Sequence, residues 1–137
     1  MAGVPYHSVE GHLRRMIEQG SGRIIFIGSS AVYDGGGGAI DYAAAKAGMA
    51  RMMKYLARNY TRKGVLVNTV HPCVVKTDLL CQRYDDEARL QKLIDQVPAG
   101  RLGEPRDVAG LVAYLASDWG SFICGQEILV DGGRTLF

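Results

Sequence analysis

The chain has 137 residues, of which 47% are hydrophobic and 22% charged, and its formal net charge at pH 7 is +2. This composition is that of an ordinary globular domain and excludes a disordered or fibrous chain. The 16 basic and 14 acidic residues form no basic block, which argues against a nucleic-acid or membrane-surface partner. No apolar run approaches the roughly 18 residues of a transmembrane helix.

Neither the N-terminus nor the cysteines indicate an exported protein. The N-terminal segment lacks the apolar core of a secretory signal. Cys73, Cys81 and Cys124 are odd in number and irregularly spaced, which fits neither a disulfide framework nor a zinc site. We therefore expect a cytoplasmic protein with reduced thiols and no bound metal.

The first predicted elements are a helix and a buried strand. Apolar residues on one face predict a helix from about His7 to Gln19, which glycines end. The run 23–28 is short, continuous and bounded by glycines, as in a strand buried on both faces. A loop over 29–40 follows and contains four consecutive glycines, Gly35 to Gly38.

A long helix is predicted next, with Asp41 as its N-cap and its end near Arg62. Larger side chains recur in steps of four and three along one face, at positions 42, 46, 49, 53, 56 and 60. Small residues line the second side. We interpret this helix as covered twice, by its own sheet and by a partner subunit.

The rest of the chain continues to alternate strands with helices. The run 65–70 predicts a second buried strand, which His71-Pro72 would break. The later elements are a loop over 73–84, a helix from Asp85 to Val97, a connector over 98–103, a helix opened by Glu104-Pro105 and a strand over 126–130. Strands separated by helices imply right-handed crossovers, so the predicted fold class is α/β with a parallel sheet.

Chemically active side chains are predicted at one edge of this sheet. Ser29 and Ser30 follow the first strand, Tyr42 and Lys46 begin the next helix, and the segment 71–77 follows the second strand. Because ligands bind beyond the carboxyl ends of parallel strands, these groups are expected to converge there. Tyr42 and Lys46 are four residues apart and share one helix face.

Longer motifs accompany these residues. They run in order from about residue 20 to the C-terminus, at 28–29, 42–48 (Tyr-Ala-Ala-Ala-Lys-Ala-Gly), 67–72, 77–78, 100–109, 115–118, 125–126 and 130–133. Together they resemble the classical short-chain dehydrogenase/reductase family, closest to 3-oxoacyl-carrier-protein reductases and to sugar or polyol dehydrogenases. The resemblance implies a Rossmann-like, doubly wound sheet and reversible ketone/alcohol hydride transfer with NAD or NADP.

The resemblance also implies catalytic roles. Tyr42 would be the general acid when a ketone is reduced and the base in the reverse direction. The Lys46 ammonium would favour the phenolate, lowering the pKa of Tyr42 from its usual value of about 10. Ser29 would donate a hydrogen bond to the substrate oxygen, with the adjacent Ser30 as the other candidate.

The cofactor-binding residues that the resemblance implies are Tyr42, Lys46, Pro72, Val75 and Thr77. Lys46 would hold the ribose hydroxyls of the nicotinamide nucleotide, and Thr77 would contact the carboxamide with help from the backbone near Val75. The loop 79–97, with Cys81, Arg83, Tyr84 and Arg89, would cover a small-molecule carbonyl or alcohol substrate, and its composition favours no substrate class.

Two residues depart from the family pattern. Cys73 replaces a glycine beside the expected nicotinamide, where it is either a packing residue or a reactive thiol. His71 replaces a small or polar residue. We interpret it as a structural histidine because Tyr42 already fills the proton-transfer role.

The glycine-rich motif that binds the cofactor pyrophosphate is missing: none of the eighteen glycines belongs to a Gly-x-Gly-x-x-Gly pattern. The run 35–38 aligns instead with the family's substrate-facing loop. The resemblance thus predicts that 1–137 is a single partial Rossmann-like domain without the N-terminal dinucleotide-binding half. It also predicts an open sheet edge beside residues 24–27, and an aggregation-prone or partner-dependent chain.

Three interpretations remain open. The chain is an NAD(P)-dependent oxidoreductase, impaired when isolated; or an inactive fragment that acts as an interaction module with a full-length relative; or a truncated gene product. The module would dock through the long helix and the segment 128–137, and the family commonly forms homo-oligomers. The choice between NAD and NADP depends on residues of the missing half.

Overall fold

The structure is a computed structural model that describes residues 3–35, 39–84 and 86–136. Its helices are α1 (Gly3–Glu18), α2 (Ala31–Asp34), α3 (Ile40–Tyr60), α4 (Asp78–Arg83), α5 (Glu87–Asp95) and α6 (Pro105–Ala116). Its strands are β1 (Gly22–Ile27), β2 (Val65–Pro72) and β3 (Glu127–Val130). Short 3₁₀ turns lie at Thr61–Lys63, Asp118–Gly120 and Arg134–Leu136.

Within the described residues the strands form one parallel sheet in the order β1-β2-β3. Ile27 lies opposite Val70, and Pro72 lies opposite Val130. The prediction of an α/β fold with a parallel sheet is confirmed. Because parallel strands end on the same side, the carboxyl ends of β1 and β2 lie next to each other.

Both faces of β2 are buried. Val67 and Val70, which point to opposite faces of the strand, are fully buried. On the first face Val67 packs with Met53 and Leu56 of α3, and with side chains of α1 around them. The helix α6 contacts β1 and β2 and buries Leu115. Apolar burial on both faces explains why β2 was recognisable as a continuous hydrophobic run.

The long helix α3 begins two residues earlier than predicted. Ala39, with extended backbone, occupies the N-cap position, so the prediction that Asp41 is the N-cap is wrong. Asp41 lies in the first turn, where its charge is favourable to the helix dipole. The helix ends at Tyr60, and Gly64 closes the following 3₁₀ turn in a left-handed conformation.

The second strand continues through His71-Pro72, which were predicted to break it. The reason is that Pro72 stands at the strand end, where a missing N–H matters little. Its carbonyl accepts a hydrogen bond from the Ser30 amide at 2.9 Å, and the next amide, of Cys73, donates to the Val130 carbonyl at 3.2 Å. β2 is therefore longer than the hydrophobic run 65–70 from which the strand was predicted.

The predicted loop over 73–84 contains a helix, α4. Its N-cap is Thr77, whose hydroxyl oxygen accepts a hydrogen bond from the Leu80 amide at 3.3 Å. The loop over 29–40 likewise contains the short helix α2. The prediction of a helix start at Asp85 lies outside the described residues, and α5 has Asp86 as its N-cap. The first helix starts earlier than predicted, at Gly3.

Candidate functional site

The chain that leaves β1 remains bonded to β2 for several residues. The Gly28 amide donates to the Val70 carbonyl at 2.7 Å, and the Ser30 amide donates to the Pro72 carbonyl. Between them, the Ser29 amide donates to Nδ1 of His71 at 3.1 Å. The tip of β1 is therefore fixed to the end of β2 by three successive amides.

The two candidate serines differ in burial. Ser30 is 5% exposed, and its carbonyl accepts a hydrogen bond from the Tyr33 amide. Ser29 is partly exposed, and its Oγ accepts a hydrogen bond from the Ala31 amide at 3.2 Å. A hydroxyl that accepts one hydrogen bond keeps its own proton for donation. Ser29 is thus the better placed of the two to meet a ligand.

Tyr42 and Lys46 lie together at the start of α3. The Lys46 Nζ is 5.7 Å from the centre of the Tyr42 ring. The same Nζ donates to the Ile27 carbonyl, at the last residue of β1, over 2.8 Å. Lys46 therefore connects Tyr42 to the strand end that carries Ser29. Tyr42 is 42% exposed.

Pro72, Val75 and Thr77 are held by other parts of the chain. Val75 forms an isolated parallel bridge with Gly103, and the amide of Gly103 donates to the Val74 carbonyl. The exposed Thr77 caps α4. Val75 thus contacts the connector before α6, and Thr77 caps α4. Pro72 instead accepts a hydrogen bond from the Ser30 amide. The side chains of Cys81 and Arg83 lie outside the described part.

Cys73 has a polar neighbour. Its Sγ accepts a hydrogen bond from Nη1 of Arg134 at 3.3 Å, and Nη2 of Arg134 donates to Gln96 at 2.8 Å. The thiol is partly buried. Cys73 therefore joins the end of β2 to the C-terminal 3₁₀ turn.

A cluster of polar side chains that the sequence analysis did not predict surrounds Glu127. We call it the Glu127 cluster, and it consists of Tyr33, Arg51, Lys54, His71 and Glu127. Glu127 Oε1 accepts from Arg51 at 2.7 Å and lies 3.8 Å from the Lys54 Nζ. Glu127 Oε2 accepts from the Tyr33 hydroxyl at 3.2 Å and lies 3.5 Å from His71 Nε2. These residues come from α2, α3, β2 and β3, and no spacing in the sequence links them.

Tyr33 and His71 also contact each other through their rings, which meet edge to face with centroids 5.4 Å apart. Partial burial, and then the neighbouring Glu127 carboxylate, raise the pKa of the Tyr33 hydroxyl above its usual value. Tyr33 therefore stays protonated and remains a donor to Glu127. His71 itself is fully buried.

Residues 3–35, 39–84 and 86–136 contain no group of three or more His, Cys, Asp or Glu that could hold a metal ion. No helix within those ranges combines the length and hydrophobicity needed to cross a membrane.

Comparison with known proteins identifies the class. The family model described as "Enoyl-(Acyl carrier protein) reductase" matches residues 6–135. The chain is 46% identical over 124 residues to the 3-oxoacyl-[acyl-carrier-protein] reductase FabG of Vibrio cholerae, covering 90% of this chain and 50% of that protein. It is 42% identical to the 2,3-dihydroxy-2,3-dihydro-p-cumate dehydrogenase of Pseudomonas putida, covering 88% of this chain and 47% of that protein.

Solved structures agree. A gluconate 5-dehydrogenase from Burkholderia cenocepacia, in complex with NADP and tartrate, superposes with a TM-score of 0.87 at 32% identity, covering 94% of this chain and 51% of that one. A short-chain type dehydrogenase/reductase from Mycobacterium ulcerans gives a TM-score of 0.88 at 30% identity, covering 93% and 46%. The fold and site thus define a Rossmann-type α/β protein.

The chain belongs to the short-chain dehydrogenase/reductase family, as the sequence motifs predicted. It spans about half the length of the curated relatives that it matches.

Proposed function

We propose that this chain carries the proton-transfer part of an NAD(P)-dependent oxidoreductase that interconverts ketones and alcohols. The observation that carries the proposal is the position of Lys46, which contacts both the Tyr42 ring and the carbonyl at the end of β1. Ser29 stands two residues beyond that carbonyl. A phenol, an ammonium and an alcohol are the three groups that acid–base catalysis at a carbonyl would use.

In this proposal Tyr42 gives its proton to the carbonyl oxygen during reduction and takes it back during oxidation. The Lys46 ammonium stabilises the negative charge left on the phenol oxygen. Ser29 donates its hydroxyl proton in a hydrogen bond to the same carbonyl oxygen, where negative charge develops. The Ile27 carbonyl keeps the ammonium at the strand end and so limits its freedom.

The residues present fit the nicotinamide end of a dinucleotide. Lys46 has further N–H donors for ribose hydroxyls, and the hydroxyl proton of Thr77 remains available for a carboxamide because its oxygen acts only as the helix cap. Pro72 and Val75 would line the same side. When bound, the nicotinamide supplies or accepts the hydride. The NADP in the Burkholderia cenocepacia relative supports this choice of cofactor.

The pyrophosphate end has no matching glycine-rich motif in this sequence. We therefore expect the isolated chain to bind NAD(P)H weakly and to turn over slowly. The substrate is a small carbonyl compound or alcohol. The FabG and gluconate dehydrogenase relatives support testing a 3-oxoacyl thioester and a sugar acid first.

The test is a titration with NADPH and NADH, followed by fluorescence, and an assay of NADPH oxidation with each substrate. Tyr42→Phe should remove turnover while leaving the fold intact. Tyr55→Phe, on the exposed side of the same helix, is the matched control and should behave like the wild type. Turnover that survives in Tyr42→Phe would exclude Tyr42 as the acid.

A second function, that of an inactive interaction module, has its own support. The outer side of α3 exposes Ala44, Ala45 and Gly48, and Tyr55 is 64% exposed. Trp119 and Phe122 are also largely exposed, at 82% and 102%. Exposed apolar surface of this kind favours a protein partner, here a full-length relative or a second copy.

Size-exclusion chromatography with and without a full-length FabG would separate the two functions. Co-elution that Ala45→Arg removes, with no turnover in any variant, would favour the module. A monomer that ignores the homologue and oxidises NADPH would favour the enzyme.

A further inference from the structure

The buried His71 is a titratable group that the proposed proton transfer does not use. Its ring lies against the backbone of the strand tip, so closely that a Cβ on Gly28 would collide with it. Nδ1 is 3.1 Å from the amide nitrogen of Ser29 and 3.0 Å from its carbonyl oxygen. The other ring nitrogen, Nε2, is buried and makes no hydrogen bond within the described residues, but it lies 3.5 Å from Glu127 Oε2, within ion-pair distance.

These contacts favour one of the two neutral tautomers of the imidazole, the one with its proton on Nε2. With the proton on Nε2, Nδ1 accepts the Ser29 amide hydrogen and the positive end of the Nε2–H group lies near the carboxylate of Glu127. With the proton on Nδ1, the Ser29 amide loses its acceptor and the Nε2 lone pair faces that carboxylate. The Ser29 carbonyl does not need the histidine, because it also accepts the Val32 amide at 3.3 Å.

The carboxylate that selects the tautomer is itself held in place. Arg51 binds one oxygen of Glu127 and Tyr33 donates to the other. Hydrogen bonds to both oxygens limit how far the carboxylate can turn away from the ring. The Glu127 cluster therefore acts on the Ser29 backbone through a chain of contacts that begins on α3 and passes through β3 and β2.

We propose that His71 is a positioning residue for Ser29, held in the Nε2–H tautomer by Glu127. The part of this inference that concerns catalysis rests on the proposed function, in which the Ser29 hydroxyl binds the substrate oxygen. An error of about 1 Å in the position of such a group costs an enzyme roughly a hundredfold in rate. An anchored amide at Ser29 limits that error.

The tautomer is measurable without cofactor or substrate. In the ¹⁵N-labelled chain, which has three histidines, the ring signals that disappear in His71→Asn belong to His71. We expect Nε2 protonated and Nδ1 unprotonated at neutral pH, and a hydrogen bond that protects the Ser29 amide from exchange. A proton on Nδ1, alone or together with Nε2, would overturn the proposal.

Two variants with the same number of side-chain heavy atoms separate the hydrogen bond from simple packing. His71→Asn keeps an acceptor near the Nδ1 position, whereas His71→Leu has none. We expect the Ser29 amide to exchange up to about tenfold faster in the leucine variant, as for loss of one hydrogen bond, and near the wild-type rate in the asparagine variant. Equal Ser29 exchange in two folded variants would contradict the positioning role. If His71→Leu does not fold, the tautomer measured for His71 in the wild type decides whether the proposal holds.

Kinetics then test the consequence for catalysis. Where the wild type turns over, His71→Leu should lower kcat while leaving the KM for NADPH unchanged, and His71→Asn should restore most of kcat. Equal kcat in the two variants would contradict the catalytic part. Absence of turnover in the wild type would defeat the proposed function instead, and the tautomer and exchange results would still decide whether His71 positions Ser29.

Discussion

Gly28 is the residue whose missing side chain has the clearest structural reason. The His71 ring occupies the space in which its Cβ would lie, and the methyl group of Thr69 is 3.0 Å from the same point. The close approach of ring and backbone allows Nδ1 of His71 to reach the next amide, that of Ser29. Gly28 and His71 are therefore one structural unit, although they are far apart in the sequence.

Gly28→Ala should lower the free energy of unfolding by about 1–3 kcal/mol, as overpacking of a filled interior does. Gly110→Ala is the matched control, because that helix position has open space around it, and it should raise stability by up to about 1 kcal/mol. Urea denaturation followed by circular dichroism measures both. Equal midpoints for the two variants would mean that the His71 ring moves aside without cost.

Asp107 shows how one carboxylate secures the start of α6. Both of its oxygens accept from Arg101, at 2.7 and 3.2 Å, and Oδ2 also accepts from the Glu104 amide at 2.7 Å. The Arg101 hydrogen bond, and then the Glu104 amide, lower the pKa of Asp107 to about 2. The folded state thus favours the ionised carboxylate more than the unfolded state does.

Protonation of Asp107 should destabilise the fold at low pH. A carboxyl group with a lowered folded pKa stabilises the fold above its unfolded pKa of about 4, and this contribution is lost as the pH falls toward about 2. Asp107→Asn should therefore reduce the dependence of stability on pH between about 4 and 2. Arg101→Gln should reduce it as well. Denaturation curves measured across this range would contradict the prediction if all three proteins had the same slope.

At the level of elements, α4 illustrates what the hydrophobic pattern could not reveal. It is a helix of six residues, too short to develop a distinct apolar stripe, and its start depends on a threonine cap. Thr77 was assigned from family resemblance to cofactor binding. In the structure its oxygen accepts a hydrogen bond from the Leu80 amide and so caps α4.

Thr77→Ala should loosen the first turn of α4 by about 1 kcal/mol, whereas Thr77→Ser, which keeps the hydroxyl, should not. Amide exchange at Leu80 reports the cap directly. NADPH affinity reports the proposed carboxamide contact separately, so a variant that alters exchange alone would limit Thr77 to the structural task.

The individual helices and strands also show which predictions of secondary structure succeeded. The strands β1 and β2 and the helix α3 were predictable because each carries a continuous or periodic apolar pattern. The extension of β2 through Pro72 was not, since it depends on pairing with Val130 from the far end of the chain. The N-cap of α3 at Ala39 rather than at Asp41 depends on the extended backbone of Ala39, which no side-chain pattern encodes.

The site was predictable to a similar extent. The proximity of Tyr42 and Lys46 follows from helical spacing, and the strand end was placed by the parallel topology. The Glu127 cluster could not be found in this way. Its members come from four separate elements, and only the folded chain brings Glu127 beside Arg51 and His71.

For the whole molecule, the described sheet has one central strand and two edge strands. β2 is paired on both sides, whereas β1 and β3 each pair only with β2. Because the Gly28 amide faces β2, alternation along the strand turns the amides of Ile25 and Ile27 toward the free edge. An unpaired edge is a surface on which another strand can add.

In the isolated chain the Ile25 and Ile27 amides should therefore exchange much faster than those of Val67 and Val70 in the central strand. Addition of a partner that pairs with β1 should slow them selectively. Hydrogen exchange followed by NMR measures this per residue. Uniformly slow exchange along β1 in a monomer, confirmed by sedimentation, would show that the edge is already covered.

The parallel arrangement also governs how the chain reaches its native state. Between β1 and β2 lie α2, the whole of α3 and a 3₁₀ turn, and β2 and β3 are separated by three further helices. Contacts this remote in sequence form late, because a long loop must close before any of them is gained. The helices should therefore form first on refolding, while the apolar strands are still unpaired. Recovery of native protein should accordingly fall as the chain concentration during refolding is raised.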